Sequence, residues 1–306
     1  MNKTLPPHHT SFAKALVSLF GTSVSVIHTD RLTGGDINKA YGLTLNTGDH
    51  IFMKANAKEN AAFFTAEAAG LSAIESTHTI KTPEILCTGT DDGEEVGYSF
   101  LLLRFIESAE PKKDYWELFA RELAALHKAD TAPILDSTSK FGFFQDNYIG
   151  AGPQSNAQKD SWISFFRECR LAPQFKRADS YFSAEERSKI TKLLDKLDDF
   201  LTEPAKPSLL HGDLWSGNVI CGPEGKAMLI DPAAYVGHAE ADLAMTELFG
   251  GFPEKFYSAY REANRIEKGY EERRDLYNLY HLLNHLNIFG KNYLAPVLSI
   301  IEEYVG

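Results

Sequence analysis

Early in the chain apolar and polar positions alternate in short runs, and later they recur at helical spacing; the change predicts two different lobes. Ser23 to Arg31, Ala40 to Asn46 and His50 to Ala55 read as three short strands, the first two separated by Thr33-Gly34-Gly35-Asp36-Ile37-Asn38-Lys39. Phe63 to Leu71 then reads as a helix carrying a single acidic residue, Glu67. Glu84 to Thr90 and Val96 to Ile106 flank a polar turn and complete a five-stranded antiparallel sheet. From Asp114 the rhythm is helical: Phe119, Leu123 and Leu126 fall at i, i+4 and i+7, and Ser183 with Glu186 predicts a capping box at the start of a helix over Arg187 to Leu201. The expected architecture is α+β and bilobal, with an N-terminal lobe over 1–103 and a mainly helical C-terminal lobe over 104–306.

The chemistry concentrates between Leu209 and Asp231. Leu209-Leu210 leads into His211-Gly212-Asp213, Asn218 follows Asp213 by five residues, and Val219-Ile220 and Met228-Leu229-Ile230 predict a hairpin around Gly222-Pro223-Glu224-Gly225. That hairpin returns Asp231 to the end that carries Asn218. Phosphoryl transfer from a nucleotide needs a carboxylate to take the acceptor hydroxyl's proton and hard oxygen ligands to hold Mg²⁺ against the phosphates. Asp213 is the candidate base, and Asn218 and Asp231 are the candidate ligands; the Asp to Asn spacing is that of a protein-kinase catalytic loop.

The N-terminal lobe then supplies a nucleotide clamp. Gly34 and Gly35 allow backbone N–H groups close to phosphate, although the match to a G-x-G-x-x-G loop is poor. Lys54 closes the apolar strand Ile51-Phe52-Met53, and Glu67 on the following helix is its natural partner, an arrangement that aims a lysine at the α- and β-phosphates. The lobes should meet near Leu103 to Glu107, with adenine held by backbone groups of Arg104 and Ile106. Trp215, two residues past the base, is a candidate wall against sugar carbons or a lobe-core tryptophan. His281 and His285 have a zinc-like i, i+4 spacing, but no third ligand is evident.

The chain resembles the fructosamine kinase (ketosamine 3-kinase) family, a branch of the protein-kinase-like fold that also holds aminoglycoside and choline phosphotransferases. The resemblance is carried by Thr33-Gly34-Gly35, Phe141-Gly142-Phe143, Asp146-Asn147-Tyr148-Ile149-Gly150, the segment His211 to Asn218, Ile230-Asp231-Pro232-Ala233-Ala234-Tyr235, Gly237-His238 and Glu240 to Phe252. It implies ATP-dependent phosphorylation of the sugar of a ketosamine, on a small amine or a glycated protein lysine, giving an unstable product that sheds the sugar. Fructose, ribulose and erythrulose adducts all remain open as substrates. It also implies that the C-terminal helix lines the acceptor pocket, which makes His285 a candidate substrate contact or else a satisfied core histidine, and that Asp242 supports the catalytic loop. Several members of the family carry a redox-active cysteine in the glycine loop; Asp36 stands at that position here, so redox switching should be absent. Asp231-Pro232 replaces D-F-G and no A-P-E segment follows, so no phosphorylated activation loop is expected.

Composition narrows the alternatives. A chain of 306 residues with 43% hydrophobic content can bury two modest cores, which suits one bilobal enzyme. The net charge of −11 argues against a nucleic-acid partner, which would demand a basic footprint. Cys87, Cys169 and Cys221 show no paired spacing, and no run is long enough to cross a bilayer, so a soluble, cytoplasmic protein is expected, as monomer or weak dimer. Polar Ala151 to Asp160 reads as a loop near the acceptor. Two rival readings stay open: a phosphotransferase for another small alcohol, such as an aminoglycoside, choline or homoserine, and a non-catalytic pseudokinase.

Overall fold

The structure, a computed structural model, describes residues 5–32, 38–93, 96–135 and 138–306. Its first elements are β1 (His8–His9), α1 (Phe12–Phe20), β2 (Val26–Leu32), β3 (Lys39–Leu45), β4 (His50–Ala57), α2 (Ala61–Glu75), β5 (Ile85–Asp91) and β6 (Tyr98–Arg104). The strands form one sheet in the order β1-β5-β6-β4-β3-β2. The five expected antiparallel strands are present. A sixth, β1, joins the edge in parallel, pairing His8 with Thr88 and His9 with Gly89. Two residues are too few to leave an alternation in the sequence, and the strand forms because the extended Pro6-Pro7 segment brings the Pro7 carbonyl to the Thr88 N–H, 3.0 Å away. Helix α1 is a second element beyond those the sequence pattern predicts. It buries Ala15 and Leu16 on the sheet, and its first N–H, at Phe12, donates to Asp91 Oδ2 at 2.7 Å.

Helix α2 extends the expected Phe63–Leu71 segment at both ends. Its small residues allow close packing, closest at Gly70: a Cβ there would lie 3.1 Å from Pro232 and 3.3 Å from Ala234. The helix that carries Glu67 therefore rests directly on the residues that follow Asp231.

Beyond Arg104 the chain is mostly helical. The C-terminal elements are α3 (Tyr115–Lys128), β7 (Asn147–Ile149), β8 (Gly152–Gln154), α4 (Trp162–Phe165), a π-helical turn over Phe166–Leu171, α5 (Ala172–Arg177), α6 (Ala184–Asp195), α7 (Leu197–Phe200), β9 (Ser208–Leu210), β10 (Val219–Cys221), β11 (Ala227–Leu229), β12 (Tyr235–Gly237), α8 (Ala239–Leu248), α9 (Glu254–Ala263), α10 (Tyr270–Phe289) and α11 (Leu294–Val305). Phe119, Leu123 and Leu126 point into the core as their spacing requires. The Ser183–Glu186 capping box forms, but the helix it opens stops at Asp195, because Lys196 leaves helical geometry (φ −101°, ψ 10°) and a separate turn buries Leu197.

The Ala151–Asp160 segment differs from its expected role as a polar loop. Gly152–Gln154 is a strand paired with β7, and Gln154 and Asn156 are buried. Polar side chains read as surface unless their partners are known, and here the partners are distant in sequence.

Candidate active site

The nucleotide side is built on the sheet. Lys54 lies inside β4 rather than at its end, opposite Ala40 on β3 and Leu101 on β6, so register fixes where its side chain leaves the strand. Its Nζ donates to Glu67 Oε1 at 2.8 Å and also to Asp231 Oδ1. The lysine side chain is 9% exposed and that of Asp231 41%, so the aspartate faces the open cleft. Burial works against the ammonium, but the charges of Glu67 and Asp231 outweigh it and hold Lys54 above its ordinary pKa. Burial also pushes Glu67 up, to about 7, against the pull of Lys54. Gly34, Gly35 and Asp36 lie outside the described residues.

The loop between β9 and β10 presents Asp213 and Asn218. Two backbone N–H groups at its start, those of His211 and Gly212, donate to the buried Asp242 carboxylate on α8 at 2.7 and 2.9 Å. Burial opposes the charge on Asp242, yet the hydrogen bond and charge of His127, the charge of His211 and the Gly212 N–H keep its pKa below the ordinary value. Gly212 has φ +81°, and a Cβ there would come within 2.2 Å of the Ala233 carbonyl oxygen. Only glycine permits this approach. Asn218 Nδ2 donates to the Asp213 backbone oxygen at 2.8 Å and to Asp213 Oδ2 at 3.1 Å. Burial raises the Asp213 carboxyl to about 7, the donated hydrogen bond from Asn218 opposing it. A base poised there can exchange protons near neutral pH.

Hairpin β10–β11 pairs Val219 with Leu229, and the Ile230 N–H donates to the Asn218 oxygen at 3.1 Å, which sets Asn218 beside Asp231. Among the described residues no cluster of three or more His, Cys, Asp or Glu side chains could hold a metal. The donors present nevertheless suit Mg²⁺, which is commonly held by one or two protein oxygens plus nucleotide phosphates. Because Asn218 spends its NH₂ on Asp213, its Oδ1 is left as a neutral oxygen donor, and Asp231 adds a cleft-facing carboxylate.

The remaining sequence candidates separate into two groups. Arg104 ends β6, but its N–H donates to the Glu84 carbonyl at 2.8 Å and its guanidinium pairs with Asp49 and Glu84. Of its backbone groups it can therefore offer adenine only the carbonyl. A cavity of about 640 Å³ touches Arg104 and Ile106 beside the C-terminal end of α2 and is not lined by Lys54, Asp213 or Asp231. Trp215 is exposed rather than in the lobe core, and with His285 it belongs to one aromatic strip: Trp215 lies 6.4 Å from Phe249, and His285 lies 4.9 Å from Phe249 and 5.0 Å from Tyr293. His285 Nδ1 bonds the His281 carbonyl and His281 is buried, which leaves the pair unsuited to a shared metal.

With this geometry in place, likeness to known proteins settles the family. The fructosamine kinase family model matches residues 8–306. The chain belongs to the fructosamine kinase family. A probable ketoamine kinase of Synechocystis is 38% identical over 97% of both chains. The chloroplastic protein-ribulosamine 3-kinase of Arabidopsis thaliana is 38% identical over 93% of this chain and 85% of that one. A crystal structure assigned to a fructosamine-3-kinase of Haemophilus somnus superposes with a TM-score of 0.82 at 29% identity, covering 97% of each chain. This fructosamine kinase family member is an ATP-dependent phosphotransferase that takes a hydroxyl acceptor, with a kinase-like α+β fold. Among its described residues no helix is long and apolar enough to cross a membrane.

Sequence reading missed the buried amides around Asp231. Asn147 Nδ2 donates to the Ala234 carbonyl at 2.8 Å, and Gln154 Nε2 to the Ala233 carbonyl at 3.0 Å. The one available signal was Asn147, inside a segment that carries the family resemblance.

Proposed function

We propose that this enzyme phosphorylates a sugar hydroxyl of ketosamines, ribulosamine and fructosamine adducts of small amines or protein lysines, and so promotes their deglycation. The observation that carries this reading is the aromatic strip from Trp215 through Phe249 to His285, which begins two residues from the half-buried Asp213. Aromatic faces suit the C–H faces of a sugar, while its hydroxyls reach polar groups. Relatives named as ketoamine and ribulosamine kinases support the same acceptor class.

In this mechanism Asp213 accepts the hydroxyl proton as the oxygen attacks the γ-phosphoryl group in line. Asn218 and Asp231 would hold Mg²⁺, which when bound would neutralise charge on the phosphates. Lys54 turns from Asp231 toward the α- and β-phosphates while Glu67 keeps it in place. The carbonyl of Arg104 and the backbone of Ile106 hold adenine. A reducing compartment such as the cytoplasm suits the unpaired Cys87, Cys169 and Cys221.

The test is ADP release from Mg²⁺-ATP with ribulose-lysine, erythrulose-lysine, fructose-lysine, a glycated protein, choline and an aminoglycoside, with Asp213→Asn as control. Turnover on a ketosamine that the variant loses is the expected result and identifies the sugar. Turnover on choline or the aminoglycoside alone would overturn the acceptor assignment, and silence on every acceptor would favour a nucleotide-binding protein without this activity.

A further inference from the structure

Asp231 occupies the left-handed region of backbone space, with φ +54°, a conformation uncommon outside glycine that aspartate tolerates better than most residues and that its surroundings here support. Hydrogen bonds bracket it on both sides. Before it, the Ile230 carbonyl lies 2.8 Å from His211 Nε2. After it, Gln154 and Asn147 on hairpin β7–β8 hold the Ala233 and Ala234 carbonyls. The Ala233 oxygen is also the atom against which Gly212 packs, so what fixes this oxygen fixes the gap between the loop of Asp213 and the loop of Asp231.

The two amides are themselves oriented. Gln154 Nε2 donates to Asn147 Oδ1 at 2.7 Å as well as to Ala233, and Gln154 Oε1 accepts from the Tyr280 hydroxyl on α10 at 2.6 Å. Each end of the Gln154 amide thus has a partner of the right kind, and a flipped amide would set its NH₂ against the tyrosine and its oxygen against two other oxygens. The foundation is stiff. Arg170, from the π-helical turn, is fully buried, donates to the Ser155 carbonyl and to Asn156 Oδ1, and stacks 3.9 Å from the Tyr235 ring. On the outer side, Tyr148 between the two amides packs 4.0 Å from Phe63 on the helix of Glu67.

We propose that Gln154 and Asn147 are positioning residues for Asp231: they lock the backbone that follows it, with Tyr280 fixing the amide orientation, and thereby set the affinity of the site for its divalent cation. The proposal rests on the reading of Asp231 as a metal ligand and deepens it. Both residues are buried and their amides are bonded to groups of the protein itself, so their effect reaches the reaction through the geometry of the carboxylate.

The experiment is a titration of Mn²⁺ into the AMP-PNP complex, followed by the electron paramagnetic resonance of free Mn²⁺, for wild type, Gln154→Met, Asn147→Leu, Tyr280→Phe and Asp231→Asn. Metal-free AMP-PNP affinity and urea unfolding are measured alongside. Gln154→Met and Asn147→Leu are expected to weaken Mn²⁺ binding about tenfold or more, as loss of groups that orient a ligand commonly does. Metal-free AMP-PNP affinity should not change. Tyr280→Phe, which removes one hydroxyl and should fold normally, is expected to move Mn²⁺ affinity in the same direction by a smaller factor. Wild-type Mn²⁺ affinity in folded Gln154→Met, or in Tyr280→Phe where the larger changes do not fold, overturns the positioning role. Failure of the wild type to bind Mn²⁺ with AMP-PNP, or undiminished binding by Asp231→Asn, overturns the metal-ligand reading beneath it.

Discussion

Lys54 and Asp231 share one ion pair but are held by opposite means. Lys54 belongs to a sheet whose ladder satisfies its own backbone, so the side chain needs only a partner, and Glu67 provides it. Asp231, like Asp213, sits on a loop whose backbone cannot satisfy itself. Its neighbours are served by buried groups from elsewhere: Asp242 for the N–H groups of His211 and Gly212, and His211, Gln154 and Asn147 for the carbonyls around Asp231. The difference teaches where damage should appear. On the sheet side, losing a functional side chain should alter nucleotide handling and leave the fold intact; on the loop side, losing a supporting group should cost rate and stability together.

The largest expected effect is on chemistry alone. Asp213→Asn should lower kcat by about 10²–10⁴, with ATP affinity and melting temperature nearly unchanged, as steady-state kinetics and calorimetry would show. The wild-type enzyme should carry the matching signature. Because the carboxyl is raised to about 7 and must be ionised to accept a proton, kcat/KM should fall about tenfold per pH unit below that value and level off above it. A profile flat down to pH 5 would remove Asp213 as the base.

Next, Lys54→Met should lower kcat by about 10²–10³, the usual cost of losing one preorganised electrostatic contact, and should raise the KM for ATP. A loss confined to the acceptor KM would contradict the clamp. Asp242→Asn leaves a single acceptor oxygen where the two N–H groups use separate ones, so one bond should be lost and the other weakened, costing about 1.5–3 kcal/mol in urea unfolding together with a fall in kcat. If stability falls while kcat holds, the loop does not depend on Asp242 for its working shape.

Gly70→Val tests the joint where the two lobes meet. The added methyls have Pro232 and Ala234 within 3.1 and 3.3 Å of the first carbon, so overpacking should cost about 1–3 kcal/mol in melting experiments and raise the KM for ATP by displacing Glu67. The smallest effect should come from a pair that resembles Lys54–Glu67 only in name. Lys58 and Asp92 are exposed, and Lys58→Ala should cost less than about 1 kcal/mol with no kinetic change. A larger loss there would blur the distinction between buried and exposed pairs.

Short-range pattern made much of this protein legible. The spacing of Asp213, Asn218 and Asp231 and the hairpin between the last two could be read from turn residues and apolar runs, as could the Lys54–Glu67 pairing and the Ser183 capping box. Each depends on residues near in sequence, or on a partner that one helix following one strand must present. Other features exist only in three dimensions. β1 is two residues long and gains its identity from β5, Lys196 interrupts a helix whose sequence would allow it to continue, and the side chain of Arg104 turns to Asp49 and Glu84 rather than to the cleft. Gln154 looked like a surface residue because its polarity was visible and its partners were not: the Ala233 carbonyl it holds is 79 positions away, and Tyr280 is 126 away. The sequence by itself determined which chemical groups take part and which elements carry them. The tertiary structure decided which polar groups are buried and how the Asp231 backbone is bent, because both depend on hydrogen bonds between segments that only folding brings together.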